Sequence, residues 1–296
     1  MGKVLETVRK KGILVSDGAW GTLLHQRGLS ASECPESWNL LRPEDVLAVA
    51  ESYVDAGADV ILTNSFGGNP FKLEPYGYGN QVYPINKAAG EISRKAAGEK
   101  VLVLGSIGPT GKMVFMGEVP GEELFRGFEL QSHGLADGGV DGLLVETMSD
   151  TAEATVAVQA AKSVHGLDVI CTFTLEKTRD GKYRTLMGHS VRDCVESALS
   201  AGADLIGTNC GNGTAGMIEI VKEIREIDGQ IPVVVHANAG LPVYRDGKTV
   251  FPEGPEEMAS MIGGLIDAGA NIIGGCCGTT PDHIKLISKC LKTKKQ

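Results

Sequence analysis

Two kinds of hydrophobic pattern alternate along the chain. Short unbroken runs rich in Val, Ile and Leu recur at residues 12–16, 59–63, 101–105, 142–146, 168–174, 204–208, 231–236 and 271–275. Runs of this length without polar alternation read as strands covered on both faces, as in a parallel sheet. Between them, over 43–56, 85–97, 121–138, 150–164, 191–201, 214–227, 255–268 and 281–291, the apolar residues recur every three to four positions. That spacing gathers them on one face of a helix. Pro43, Pro255 and Pro281 suit a first helical turn, and Asp150 or Thr280 suits a cap.

The joints repeat as well. Ala56-Gly57-Ala58-Asp59, Ala201-Gly202-Ala203-Asp204 and Ala268-Gly269-Ala270-Asn271 each close a helix and launch a strand. Glycine just past a helix end supplies the left-handed residue that stops it. Eight strand–helix alternations with no change of composition predict an α/β fold, a single (β/α)8 TIM barrel over residues 1–296. The longest interruptions, 65–82 and 175–190, both follow strands. They are therefore expected on the face where such a barrel carries its chemistry.

Composition narrows the function. With 28 Lys+Arg against 37 Asp+Glu the net charge is −9, which argues against electrostatic binding of nucleic acid. The basic residues of 292–295 read as a solvated tail. No apolar run approaches the roughly 20 residues needed to span a bilayer, and the N-terminus meets charge too early for a secretory signal. Seven cysteines, an odd number in a long chain of this kind, point to a reducing compartment, the cytoplasm.

The strand ends carry the candidate chemistry: Asp17, Gly18 and Ala19 after the first run, Asn64 after the second, Glu146 in the fourth, Asn209 and Cys210 after the sixth, Asn238 after the seventh, and Cys276 and Cys277 after the eighth. The barrel brings Cys210, Cys276 and Cys277 to one rim. Three thiolates with an open fourth position make a catalytic zinc site. The pattern is also open to two inert neighbouring thiols or a vicinal disulfide, with Cys210 a small buried residue. Asp17 and Glu146 suit an ammonium group, and the Gly18 and Ala19 N–H groups suit a carboxylate, together a zwitterionic amino acid. Helix capping or a buried ion pair explains the same carboxylates. Asn64, Asn209 and Asn238 either order such a site or serve as turn residues. Cys34, Cys171, Cys194 and Cys290 read as structural, and His236 as a satisfied core histidine or one that supports a site from behind, rather than a ligand. His189, in the loop after the fifth run, is a weaker candidate for ligand contact. The glycines of GSIGPTGK lack the GxxxxGK[ST] spacing of a phosphate loop.

These residues carry a resemblance. DGAWGT, AGADVILTNSF, GSIGPTG, Glu146-Thr147, GTNCGNG, ANAGLP and GGCCGTTPDHI, in that order, resemble the homocysteine S-methyltransferase family over nearly the whole chain. The GSIGPTG loop is most similar to the homocysteine-binding module of cobalamin-dependent methionine synthases. The resemblance implies a zinc ion on Cys210, Cys276 and Cys277. It also implies homocysteine near Asp17, Gly18, Ala19 and Glu146, with Asn238 close to the metal. Methyl transfer to the homocysteine thiolate would give methionine, with methylcobalamin or a separate corrinoid protein as donor. The alternatives are a zinc methyltransferase with another thiol acceptor or an S-methylmethionine or betaine donor, or a homocysteine-binding subunit active only with a corrinoid partner. Trp20 stands where the family usually carries Met or another aliphatic residue.

Overall fold

A computed structural model describes residues 2–245 and 247–294; Lys295, at the end of the basic tail, lies outside them. The eight apolar runs form eight parallel strands: β1 (Leu14–Val15), β2 (Val60–Leu62), β3 (Leu102–Ile107), β4 (Gly142–Met148), β5 (Asp168–Phe173), β6 (Leu205–Asn209), β7 (Val233–Ala237) and β8 (Ile272–Gly275). They hydrogen-bond in the order β1-β8-β7-β6-β5-β4-β3-β2. A single parallel bridge between Ser16 and Val60 brings β1 against β2 and completes the ring. The eight predicted helices are all present, and Val191–Ala201, Thr214–Ile227 and Pro255–Ala268 have the expected bounds. Asp150 caps its helix by accepting from the Ala152 N–H, and Gly57, Gly202 and Gly269 all have positive φ.

The period of two along each strand sorts the core. Leu14, Val60, Leu62, Leu102, Leu104, Leu144, Ile170, Leu205, Val234 and Ile272 fill the barrel interior, while Val15, Ile61, Val103, Val145 and Val235 pack under the helices. Following the inward positions upward leads from apolar to polar: Leu104 to Ser106, Leu144 to Glu146, Ile170 to Thr172, Val234 to His236. The polar layer is the floor of the site.

One element was not expected. Helix Lys3–Lys11 lies across the opposite end, with Val4 and Val8 buried in the interior cluster. Burying two valines contributes roughly 1.5–3 kcal/mol each. Asp168, at the start of β5, accepts the Gly2 and Leu5 N–H groups at 2.9 Å each, putting a carboxylate at the positive end of this helix. The loops also hold more structure than the pattern suggested. Helix Trp20–Gln26 follows β1, and two hairpins (Glu176–Lys177 with Tyr183–Arg184, and Val243–Arg245 with Lys248–Val250) rise from the loops after β5 and β7. The segment between β1 and helix Pro43–Asp55 is longer than either interruption singled out above. Among the described residues, no helix is long and apolar enough to cross a membrane.

Candidate active site

A cavity of about 310 Å³ opens at the C-terminal ends of the strands, within the range of small-molecule sites. Seven of the expected residues line it: Gly18, Ala19, Asn64, Glu146, Cys210, Cys276 and Cys277. Asp17, Asn209 and Asn238 are buried just behind the lining.

The three sulfurs come from two strand ends. Cys210 follows β6 with φ of 60°, a conformation non-glycine residues rarely hold. Its N–H is tied to the His236 carbonyl at 3.0 Å and its carbonyl accepts the Asn212 N–H at 2.7 Å. After β8, Cys276 N–H donates to the Ala237 carbonyl at 2.7 Å, and the Cys277 carbonyl accepts the Ala239 N–H at 2.9 Å. Gly278, at φ 81°, bends the chain directly afterwards. The two neighbouring side chains, which a regular strand would point apart, thus converge. All three Sγ atoms lie within 4.8 Å of one another, and Cys210 and Cys277 are 3.9 Å apart. Tetrahedral zinc with Zn–S bonds of about 2.3 Å needs sulfurs about 3.8 Å apart, so the cluster has the donors and spacing for it. The thiols titrate as a unit. Cys210 sits far below the ordinary thiol range because Cys276 and Cys277 donate to its sulfur, and Asn238 adds a further hydrogen bond. Their hydrogen bonds to Cys210, with burial behind them, in turn hold Cys276 and Cys277 high.

The carboxylates are held differently. Glu146 accepts from the Ser106 hydroxyl at one oxygen and faces Asn209 Nδ2 at 3.5 Å from the other. Burial, and then the nearby Asp17 and Cys210, push its carboxyl up to about 7. Asp17 is raised to about 7 by burial, against the lowering effect of its hydrogen bonds. Its Oδ2 accepts from the Leu62 N–H at 2.7 Å and from Trp20 Nε1 at 2.8 Å. Asn209 is fully engaged. It takes the Thr147 N–H and the Thr172 hydroxyl, both at 2.8 Å, and donates to the Thr147 hydroxyl at 2.7 Å. It thereby fixes Thr147, at φ 62°, beside Glu146. Asn64 donates to the Pro35 carbonyl and to Asn39.

Three sequence expectations change. The Ala19 N–H is taken by the Thr279 hydroxyl at 3.1 Å and is not free for a carboxylate. His236 lines the cavity and is buried with its Nε2 unpartnered, so of its two expected roles it fills that of a histidine supporting the site rather than a satisfied core residue; burial lowers its imidazole to about 4 and keeps it neutral. His189 is outside the cavity lining, with Nε2 3.4 Å from the Thr151 hydroxyl. The GSIGPTG loop is pinned by Glu153, which accepts from both the Thr110 N–H and its hydroxyl at 2.7 and 2.5 Å. A buried carboxylate there is the opposite of a phosphate cradle.

Residues 14–291 match the sequence profile of the homocysteine S-methyltransferases. The chain belongs to the homocysteine S-methyltransferase family. It is 32% identical to a methionine synthase of Mycobacterium leprae and 31% identical to one of Mycobacterium tuberculosis, over 96% and 98% of its own length. It spans about a quarter of the length of these curated relatives, 25% in each case. Its fold is similar to that of the homocysteine methyltransferase MmuM from Escherichia coli in its metallated form, with a TM-score of 0.78 and 24% identity over 97% of this chain and 98% of that one.

Within this family member, the sequence reading missed Glu36. It lines the cavity, accepts the Gly67 N–H at 2.7 Å and receives the Cys34 S–H at 3.3 Å. Nothing in the periodicity of the 30–41 segment marks it, because the chain there is short helical turns. Thr279 was likewise passed over as part of a glycine-rich turn.

Proposed function

We propose that this barrel, with residues 1–296 acting as one unit, transfers a methyl group to the thiolate of homocysteine to form methionine. The donor is a methylcorrinoid held outside the barrel. The observation that carries the reading is that Cys210, Cys276 and Cys277 line the same cavity as Glu146 and the Gly18–Ala19 turn. One end of the cavity suits a soft metal and the other an α-amino acid.

A free thiol near pKa 8.5 is only a few per cent ionised at pH 7. Zinc bound by the three cysteines would supply what is missing, removing the thiol's proton and holding the sulfur as a nucleophile. The chain's own residues do the rest. Ser106 and Asn209 orient Glu146, whose carboxylate takes the ammonium group. Asp17 holds the end of β1 against β2 and so sets the Gly18–Ala19 turn. Neutral His236 adds no charge to the floor. The exposed apolar side chains Phe66, Met113, Leu186 and Leu241, all on loops of this face, suit a bulky donor. A corrinoid donor is supported by the likeness of the GSIGPTG loop and by relatives named methionine synthase. The free cysteines suit a reducing compartment such as the cytoplasm.

The test is zinc-edge X-ray absorption on reduced protein, with and without homocysteine. Three sulfurs becoming four is the expected result. Absence of zinc overturns the reading, and zinc without a new sulfur assigns another acceptor. Assay with methylcobalamin, S-methylmethionine and betaine then separates the donors.

A further inference from the structure

Thr279 sits between the two halves of the cavity and touches both. Its hydroxyl donates to the Cys276 carbonyl at 2.7 Å and accepts the Ala19 N–H at 3.1 Å. The side chain is fully buried. Its position depends on two glycines. A β carbon on Gly18 would lie 2.5 Å from Thr279 Oγ1, and one on Gly275 would lie 2.3 Å from the same atom; both are closer than real contacts allow. The next peptide along is fixed too, because the Ala19 carbonyl accepts from the Tyr53 hydroxyl at 2.9 Å.

A hydroxyl has one proton to give. Spending it on Cys276 leaves the oxygen's lone pairs for Ala19, so both bonds form together in one rotamer. A shift of the Cys276 peptide therefore moves the acceptor that holds Ala19. Around them the chain is close-packed, with Gly275 N–H donating to the Asp17 carbonyl at 2.8 Å and Thr279 N–H to the Cys276 carbonyl at 3.1 Å.

We propose that Thr279 is a positioning residue that couples the sulfur cluster to the Gly18–Ala19 turn, so that metal on the cysteines tightens the binding of the amino-acid end of the acceptor. The inference rests on the function proposed above. Coupling between two sites is reciprocal, so the amino acid tightens metal binding by the same factor. The effect is separate from any bond between metal and substrate sulfur, and a ligand without sulfur reveals it.

The experiment is calorimetric titration of norleucine, a thiol-free amino acid, into zinc-loaded and zinc-stripped protein. In the wild type, zinc tightens norleucine binding by about five-fold or more. Thr279→Ser keeps that ratio. Thr279→Val, of similar shape but without the hydroxyl, binds zinc at full stoichiometry and brings the ratio to about one. Tyr53→Phe leaves Thr279 in place and frees the Ala19 carbonyl; it lowers the ratio as well and serves should Thr279→Val not fold. A wild-type ratio of one, or an undiminished ratio in either variant, overturns the coupling. Norleucine binding to neither form also overturns it, yet leaves the methyl-transfer reading standing if homocysteine still adds a fourth sulfur. Wild-type protein that takes up no zinc refutes that reading itself.

Discussion

The indole N–H of Trp20 donates to Asp17 Oδ2 at 2.8 Å, which ties the first residue of helix Trp20–Gln26 to the carboxylate at the end of β1. The same oxygen takes the Leu62 N–H from β2. One carboxylate thus joins β1, β2 and the start of helix Trp20–Gln26. Trp20→Phe removes a hydrogen bond to a buried acidic group and should cost about 1–3 kcal/mol. Urea unfolding measures it. An unchanged midpoint would mean that the Leu62 N–H and the Ser16 hydroxyl suffice to hold Asp17.

Asp17 and Glu146 both stand near 7 in the folded protein, well above their ordinary carboxyl values. The folded state therefore keeps protons that the unfolded chain has already lost. Their contribution to stability is full below about pH 4 and disappears as pH rises through about 7. Glu146→Gln removes one of the two. Its melting temperature, relative to wild type, should rise between pH 5 and pH 8. A constant difference across that range would contradict the raised carboxyl.

Ammonium binding requires an ionised Glu146. Homocysteine affinity of the wild type should increase from pH 5.5 to pH 7.5, with proton release on binding at the lower end. Calorimetry in two buffers of different ionisation enthalpy counts those protons. Glu146→Gln should weaken binding ten-fold or more, by about 1.4 kcal/mol or above, and a variant that binds as well as wild type would remove Glu146 from the site.

Cys277→Ser should lower zinc content and methyl transfer together, and a chelator should do the same to the wild type. Cys290, exposed on helix Pro281–Lys294, is the control: Cys290→Ser should leave both intact. Metal analysis beside an activity assay decides it. Full activity in zinc-free protein would end the metal reading.

Asn209→Ala leaves the Thr147 N–H and the Thr172 hydroxyl without their acceptor in a buried setting. Each such loss costs about 1–3 kcal/mol. The variant should melt several degrees lower and bind homocysteine more weakly while retaining zinc. Loss of zinc in step with stability would place Asn209 in the sulfur cluster rather than behind Glu146.

The barrel was legible because its strands are covered on both faces and so read as unbroken apolar runs. Strand phase was legible too. Counting by two from Leu144 reaches Glu146, and from Ile272 it reaches Gly274 and Cys276. Cys277 falls out of phase, and its inclusion depends on the bend at Gly278, which counting cannot supply. The hydrogen bonds of Asp17, Asn209 and Thr279 were hidden for a related reason. Each connects strand ends far apart in sequence, and the residue type alone does not say whether a group faces ligand or chain. Helix Lys3–Lys11 was overlooked because its inward face needs only Val4 and Val8, too few to establish a period.

That same helix governs traffic. Val4 and Val8 fill the far end of the barrel, and the cavity opens at the strand tips. A donor large enough to cover the mouth shuts it while seated there. On the methyl transfer proposed above, the acceptor would enter before the donor docks and the methylated product would wait until the donor has left, a fixed queue imposed by a doorway shared between the two substrates.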